Sequence, residues 1–326
     1  MPLLRPTRRV SVYKSKIHTR LSKIAPWINA ARLRTLPLSI SGILAGTALA
    51  SSYGSVDNTI FILALFTAIG FQITSNFAND YGDGVKGTDN EDRIGPKRAL
   101  QSGLLTRKVL KKGIVISILF NIILVIAVVY IAFGLENIEY ILLFTVLGGL
   151  SIWAAIKYTI GNSAYGYRGL GDVFVFLFFG LLAVLGTLFL YTKNLTWSSV
   201  LPAISIGALS TGVLNLNNLR DHESDKDSNK RTLVVLMGYA NGLKYHTALI
   251  SIGLLSFLVY IIITFKCYFQ LLPLVVFIPI LVQLIKVNHT RMPSLLDPEL
   301  KKLAISTFLL SLLFYLGNNI FCKFDI

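Results

Sequence analysis

Gly113-Ile-Val-Ile-Ser-Ile-Leu-Phe-Asn-Ile-Ile-Leu-Val-Ile-Ala-Val-Val-Tyr-Ile-Ala-Phe133 is an apolar run without a single charge. A helix rises about 1.5 Å per residue, so a run of this length crosses the ~30 Å hydrocarbon core of a bilayer. A barrel strand would be about ten residues long and would alternate in polarity, which this run does not. Working outward from it, eight more apolar runs appear, at about 36–53, 59–78, 138–156, 171–191, 198–216, 243–265, 268–287 and 303–321. The composition agrees: 54% of the 326 residues are hydrophobic and 14% are charged, where a soluble domain has about 25% charged. That balance excludes a soluble enzyme, a disordered chain and a collagen, and two cysteines cannot make a disulfide scaffold. The fold class expected is an all-α membrane protein with nine transmembrane helices. Residues 1–25 read as a basic tail and 26–326 as one helical domain.

The chain carries 31 Lys and Arg against 16 Asp and Glu, a net charge of +15. In a soluble protein that excess would suggest nucleic acid. In a polytopic chain it reports orientation, because Lys and Arg collect in cytoplasmic loops. With the N-terminus inside, 28 of the 31 fall in inside segments, and only Lys193, Lys266 and Lys323 lie outside. No nucleic-acid partner is expected, and the lipid bilayer is. No acid precedes Asp57. The basic start reads as a cytoplasmic tail on anionic lipid, with a transit peptide as the alternative. Trp27 could anchor it in the interface. The expected location is a bacterial inner membrane, an organelle membrane being the other choice.

The long inside loops follow the second and sixth runs, and each begins with acids. The first reads Asn76-x3-Asp80-x2-Asp83 and the second Asn217-x3-Asp221-x3-Asp225. Spacings of three and four place side chains on one helix face. Carboxylates so close repel one another near a membrane unless a cation sits among them. Oxygen-only donors select Mg²⁺ or Ca²⁺ over zinc, and Mg²⁺ keeps water and phosphate in its shell. A basic pair follows each motif, Lys97-Arg98 and Lys230-Arg231. Two such segments facing each other would clamp a diphosphate. An ion-coupled transporter is the rival, but its acids would lie mid-helix rather than at helix ends.

A third segment, Lys157-Tyr158 through Tyr165-Gly166-Tyr167-Arg168, combines three tyrosines with cations. It suits a flat aromatic substrate bearing an anionic group, and tyrosine faces can stabilise a carbocation. An interfacial aromatic belt is the alternative. The four histidines show no ligand spacing, and pairing of Cys267 with Cys322 is left open.

Together these segments resemble the UbiA superfamily of intramembrane prenyltransferases. The matching residues are Arg34-Thr35-Leu36-Pro37; Asn79-Asp80-Tyr81-x-Asp83-x2-Lys86-Gly87 with Arg93-x-Gly95-Pro96-x-Arg98-Ala99; Tyr165 to Asp172; and Asn217-Asn218-x-Arg220-Asp221-x3-Asp225-x4-Lys230-Arg231. Two places depart from the pattern: Gly161-Asn162-Ser163-Ala164, where the family often has Gly-Pro, and Asn229, where it commonly has Gly. Within the superfamily the motifs are most similar to the members that prenylate 1,4-dihydroxy-2-naphthoate in menaquinone synthesis. Sister enzymes using 4-hydroxybenzoate or homogentisate remain the alternative.

The resemblance implies a nine-helix bundle with a central cavity under a cytoplasmic cap, a polyprenyl diphosphate donor, and decarboxylation of the acceptor. Mg²⁺ would sit among Asn76, Asp80, Asp83, Asn217, Asp221 and Asp225. The four aspartates and Tyr158 are the expected catalytic residues. Asn76, Asn79, Lys86, Arg93, Lys97, Lys157, Tyr167, Arg168, Asn217 and Arg220 are the expected substrate-binding residues. Of these, Arg93, Lys97, Lys157 and Arg220 would meet the diphosphate or the aryl carboxylate, and Tyr158 and Tyr167 the aryl ring.

Overall fold

A computed structural model describes residues 24–89 and 95–323. Nine helices among the described residues are long and apolar enough to cross a membrane. They are α1 (Ile24–Ser51), α2 (Asn58–Lys86), α3 (Arg107–Phe133), α4 (Ile138–Lys157), α5 (Gly171–Thr192), α6 (Trp197–Arg220), α7 (Tyr239–Thr264), α8 (Tyr268–His289) and α9 (Pro293–Asn319). The chain is an integral membrane protein. Each expected run is found. Several helices extend past their apolar run at the end bearing the acidic motifs, because backbone hydrogen bonding continues after hydrophobicity stops.

The longest extension is in α2. Asp57 caps its start, accepting from the backbone of Thr59 and Ile60, and hydrogen bonding to those amides holds its carboxyl below the usual range. The helix stops at Gly87, whose φ of +75° closes it with an N–H bond to the Asp83 carbonyl. Glycine adopts that left-handed conformation without strain. The first motif therefore rides on ordered helix.

α1 is broken. Residues 24–31 are helical, Arg32 turns left-handed at φ 50°, and the helix resumes at Leu36. Pro37 does not interrupt the span, because it falls in the first turn after the break, where no N–H partner is lost. Trp27 is packed edge-on against Phe77 of α2 at 5.4 Å.

α6 is the buried centre and packs against α1, α5, α7 and α9. α2, α3 and α4 form a second group. Gly180 of α5 and Gly207 of α6 let these helices touch: a Cβ on Gly180 would lie 2.5 Å from the Gly207 Cα. Small residues replace the hydrophobic effect as the means of close packing in lipid. Phe176–Leu182 of α5 form a π-helical stretch. At the end opposite the motifs, Cys267 and Cys322 are disulfide-bonded with Cα atoms 6.0 Å apart, tying the start of α8 to the chain after α9.

Candidate functional site

Asn76, Asp80 and Asp83 lie on the last three turns of α2. Asn217 is in the last turn of α6, and Asp221 joins α6 to a short helix, His222–Asp227. The Asp225 N–H bonds the Asp221 carbonyl at 2.8 Å, so the four-residue spacing survives the junction. The two motifs come together as the sequence suggests, on walls of one cavity of about 400 Å³.

The cavity is amphipathic. Asn76, Asn79, Asp83, Asp89, Asn217, Asp221 and Asp225 line its motif end, joined by three cations: Arg32, Arg98 and Lys230. Deeper in the bundle its wall is apolar, with Phe71, Val125, Phe144, Phe178, Leu182 and Leu190. The π-helical stretch of α5 supplies part of that wall.

Asn76 is held from both sides. Its Nδ2 donates to the Ala31 carbonyl at 2.8 Å, and its Oδ1 accepts from Gln72 at 3.0 Å. This pins the break in α1 to α2. The break turns Arg32 onto Asp80, with which it forms an ion pair. Arg98 lies 3.8 Å from Asp80 and 3.9 Å from Asp89. Asp80 itself is fully buried behind the cavity wall, beneath these arginines.

On the other wall, Lys230 meets Asp225 at 3.2 Å. Burial opposes the lysine's charge, but Asp225 and Asp83 outweigh burial and raise its affinity for a proton. Burial raises the Asp225 carboxyl above its ordinary value, against the pull of Lys230. Asn229 takes φ +56° just before that lysine. Asparagine tolerates this region better than most residues, which explains why it can stand where a glycine was expected.

Tyr167 stitches the three motif-end connections together. Its hydroxyl donates to Asp83 at 2.7 Å and accepts from Thr88 at 2.6 Å. Its carbonyl accepts from the Arg231 N–H. Its ring lies 3.8 Å from the Lys86 ammonium and 5.8 Å from that of Lys230. Tyr158 does line the cavity, edge-on to Tyr165 at 5.4 Å. Burial pushes the Tyr158 hydroxyl up to about 12.

Several expected substrate contacts are placed elsewhere. Tyr167 is a cap strut, its hydroxyl and ring already engaged, and is absent from the cavity wall. Lys86 covers that ring from the exposed side. Lys97 and Arg168 are exposed, and Lys157 is turned away from the cavity. In each basic pair only one residue turns inward, Arg98 rather than Lys97 and Lys230 rather than Arg231. Arg220 is 2% exposed and gives its guanidinium to Asn217, Asp221 and Asp297. Arg93 lies outside the described residues. Arg32 and Asp297 carried no chemical signal in the sequence; the first counted only toward orientation, and the second sits far from either motif.

The donor set fits a hard divalent cation. Asp80 Oδ2 and Asp225 Oδ2 are buried and accept no hydrogen bond. Buried acceptors left unsatisfied cost roughly 1–3 kcal/mol each, more when charged. Among the described residues no three carboxylates gather into a closed metal cage. An ion bound here would therefore need water and phosphate oxygens to complete its shell.

The chain is 40% identical over 299 residues to the 1,4-dihydroxy-2-naphthoate octaprenyltransferase of Escherichia coli (strain K12), a span of 91% of this chain and 96% of that one. The apo structure of a UbiA homolog from Aeropyrum pernix K1 is similar with a TM-score of 0.64 at 14% identity, over 88% of this chain and 97% of that one. A UbiA homolog from Archaeoglobus fulgidus bound to GPP and Mg²⁺ gives 0.63 at 12% identity, over 90% and 100%. At such identities the two structures speak for the fold alone. Residues 39–316, which take in both acidic motifs and all but the start of the bundle, match the UbiA prenyltransferase family, and the chain belongs to it.

Proposed function

We propose that this chain transfers a polyprenyl group from polyprenyl diphosphate to 1,4-dihydroxy-2-naphthoate, with release of diphosphate and of the carboxylate as CO2, giving demethylmenaquinol, the reduced form of demethylmenaquinone. The observation that carries the donor is the amphipathic cavity: acids and cations at one end, apolar wall at the other. A prenyl diphosphate has the same two ends. The acceptor is taken from the naphthoate relative.

Asn76, Asp83, Asn217, Asp221 and Asp225 on the wall, with Asp80 behind Arg32, would hold Mg²⁺. The ion would offset charge on the departing diphosphate. Arg32, Arg98 and Lys230 add charge-assisted hydrogen bonds to the diphosphate oxygens. As the allylic C–O bond breaks, the Tyr158 and Tyr165 rings offer π-faces to the developing cation. The apolar wall excludes water, which would otherwise capture that cation in place of the aryl carbon.

The motif end faces the cytoplasm in this reading, and the membrane is a bacterial inner membrane. The 28-to-3 division of Lys and Arg supports the orientation. So does the disulfide at the opposite end, since such bonds persist in oxidising compartments.

The test is incubation of the purified protein with octaprenyl or geranyl diphosphate, Mg²⁺ and each candidate acceptor, with products identified by mass. Prenylated, decarboxylated naphthoate is expected. Faster turnover of 4-hydroxybenzoate or homogentisate would move the chain to a sister activity, and ion flux in liposomes without prenyl transfer would end the enzyme reading.

A further inference from the structure

We infer that Asp297, at the start of α9, is a positioning residue for the second acidic motif, acting through Arg220. The inference rests on the metal-diphosphate site of the proposed function, but not on the choice of acceptor.

Arg220 ends α6 and is almost fully buried. Its Nε donates to Asp221 Oδ1 at 2.8 Å and its Nη2 to Asp221 Oδ2 at 2.7 Å. The same Nη2 donates to Asn217 Oδ1 at 2.9 Å. One planar group therefore sets the orientation of two side chains that line the cavity. A guanidinium imposes such geometry because its donors are fixed in a rigid fork. The remaining nitrogen, Nη1, is ion-paired with Asp297. Asp297 is half-exposed and is the first α-helical residue of α9, directly after the 3₁₀ turn Pro293–Leu296.

The charges explain why a second acid is there. Arg220 and Asp221 alone would cancel, and Asp221 would have little attraction left for a cation. Asp297 shares the guanidinium charge, so the trio keeps one net negative charge beside the cavity. It also fixes the end of the guanidinium remote from Asp221, so the fork cannot swing away. A plain structural clamp is the competing account. An acid at the start of α9 and a cation at the end of α6 each suit their helix dipole, and a buried ion pair can simply join two helices. The two accounts differ in what happens to metal affinity.

The experiment uses the full chain in detergent, with Mn²⁺ and inorganic diphosphate as the probe, read by electron paramagnetic resonance and paired with thermal unfolding. Asp297→Asn should weaken Mn²⁺ binding about tenfold, the order expected of one partly screened charge. Asp297→Glu should recover most of it. In an Arg220→Gln background, Asp297→Asn should change binding less than about twofold, because coupled residues are not additive. Wild-type Mn²⁺ affinity in Asp297→Asn, with or without a lower melting temperature, would leave only a clamp and overturn the inference. So would an equal loss with and without Arg220. A wild-type chain that binds Mn²⁺ and diphosphate in this Asp297-dependent way but prenylates no naphthoate would retain the inference and sink the acceptor assignment.

Discussion

Asp83 and Asp221 stand on the two cavity walls, the first oriented by the Tyr167 hydroxyl and the second by the Arg220 guanidinium. Asp83→Ala or Asp221→Ala should reduce turnover by about 10²-fold or more, the scale seen when a group stabilising transition-state charge is lost. The melting temperature checks that the bundle survives. Arg32→Gln should raise the KM for prenyl diphosphate, whereas Arg168→Ala should change neither KM by more than about twofold, since surface changes away from a site are usually neutral. A large acceptor KM in Arg168→Ala would place the aryl site at the exposed loop. The Tyr158 hydroxyl, pushed up to about 12 by burial, keeps its proton through the working range. Its deprotonation would set in only on the approach to that value, so Tyr158→Phe should leave the pH–rate profile unchanged in shape between about pH 6 and 9. A lost alkaline limb would make Tyr158 a titrating group after all. The acids were legible at this scale because charge is rare in so apolar a chain and its spacing is helical. The cations were not. Lys97 and Arg98 are adjacent and chemically alike, and only the turn that carries them decides which faces the cavity.

Among the elements, the apolar runs were read nearly to the residue where a charge-free span is bounded by turns, as in α4 and α5. They were read short in α2, α3 and α9, where polar residues continue the helix beyond the apolar run. The break in α1 left a trace, Arg34-Thr35-Leu36-Pro37, but a left-handed turn at Arg32 has no marker such as glycine. The π-helical stretch of α5 has none either, because its composition, Phe-Leu-Phe-Phe-Gly-Leu-Leu, is that of any buried span. What α5 does show is the close approach to α6. Gly180→Leu should overpack that contact and cost about 1–3 kcal/mol, measured by reversible unfolding in detergent. Gly149→Leu is the control, since a Cβ there meets nothing within 4 Å. Equal melting temperatures for the two variants would mean that α5 and α6 do not rely on touching backbones.

For the molecule as a whole, the proposed orientation has the broadest basis in the sequence, since 28 of the thirty-one basic residues fall in segments on one side of the bundle. Cysteine introduced at Ser228 should react with impermeant thiol reagents only from the cytoplasmic side, and one at Asn194 only from the other. The opposite labelling pattern would place the acidic motifs outside the cell. Cys267 and Cys322 carried no such collective signal, since two residues in a long chain can pair or not. Their bond has a consequence in time. Cys267 precedes α8 and Cys322 follows α9, so the two sulfurs meet only once the α8–α9 hairpin has been threaded through the bilayer and back. An oxidised pair is thus a chemical record of completed insertion. Chains caught before α9 has crossed should bind a maleimide polymer at both thiols, and finished chains at neither until a reductant is added.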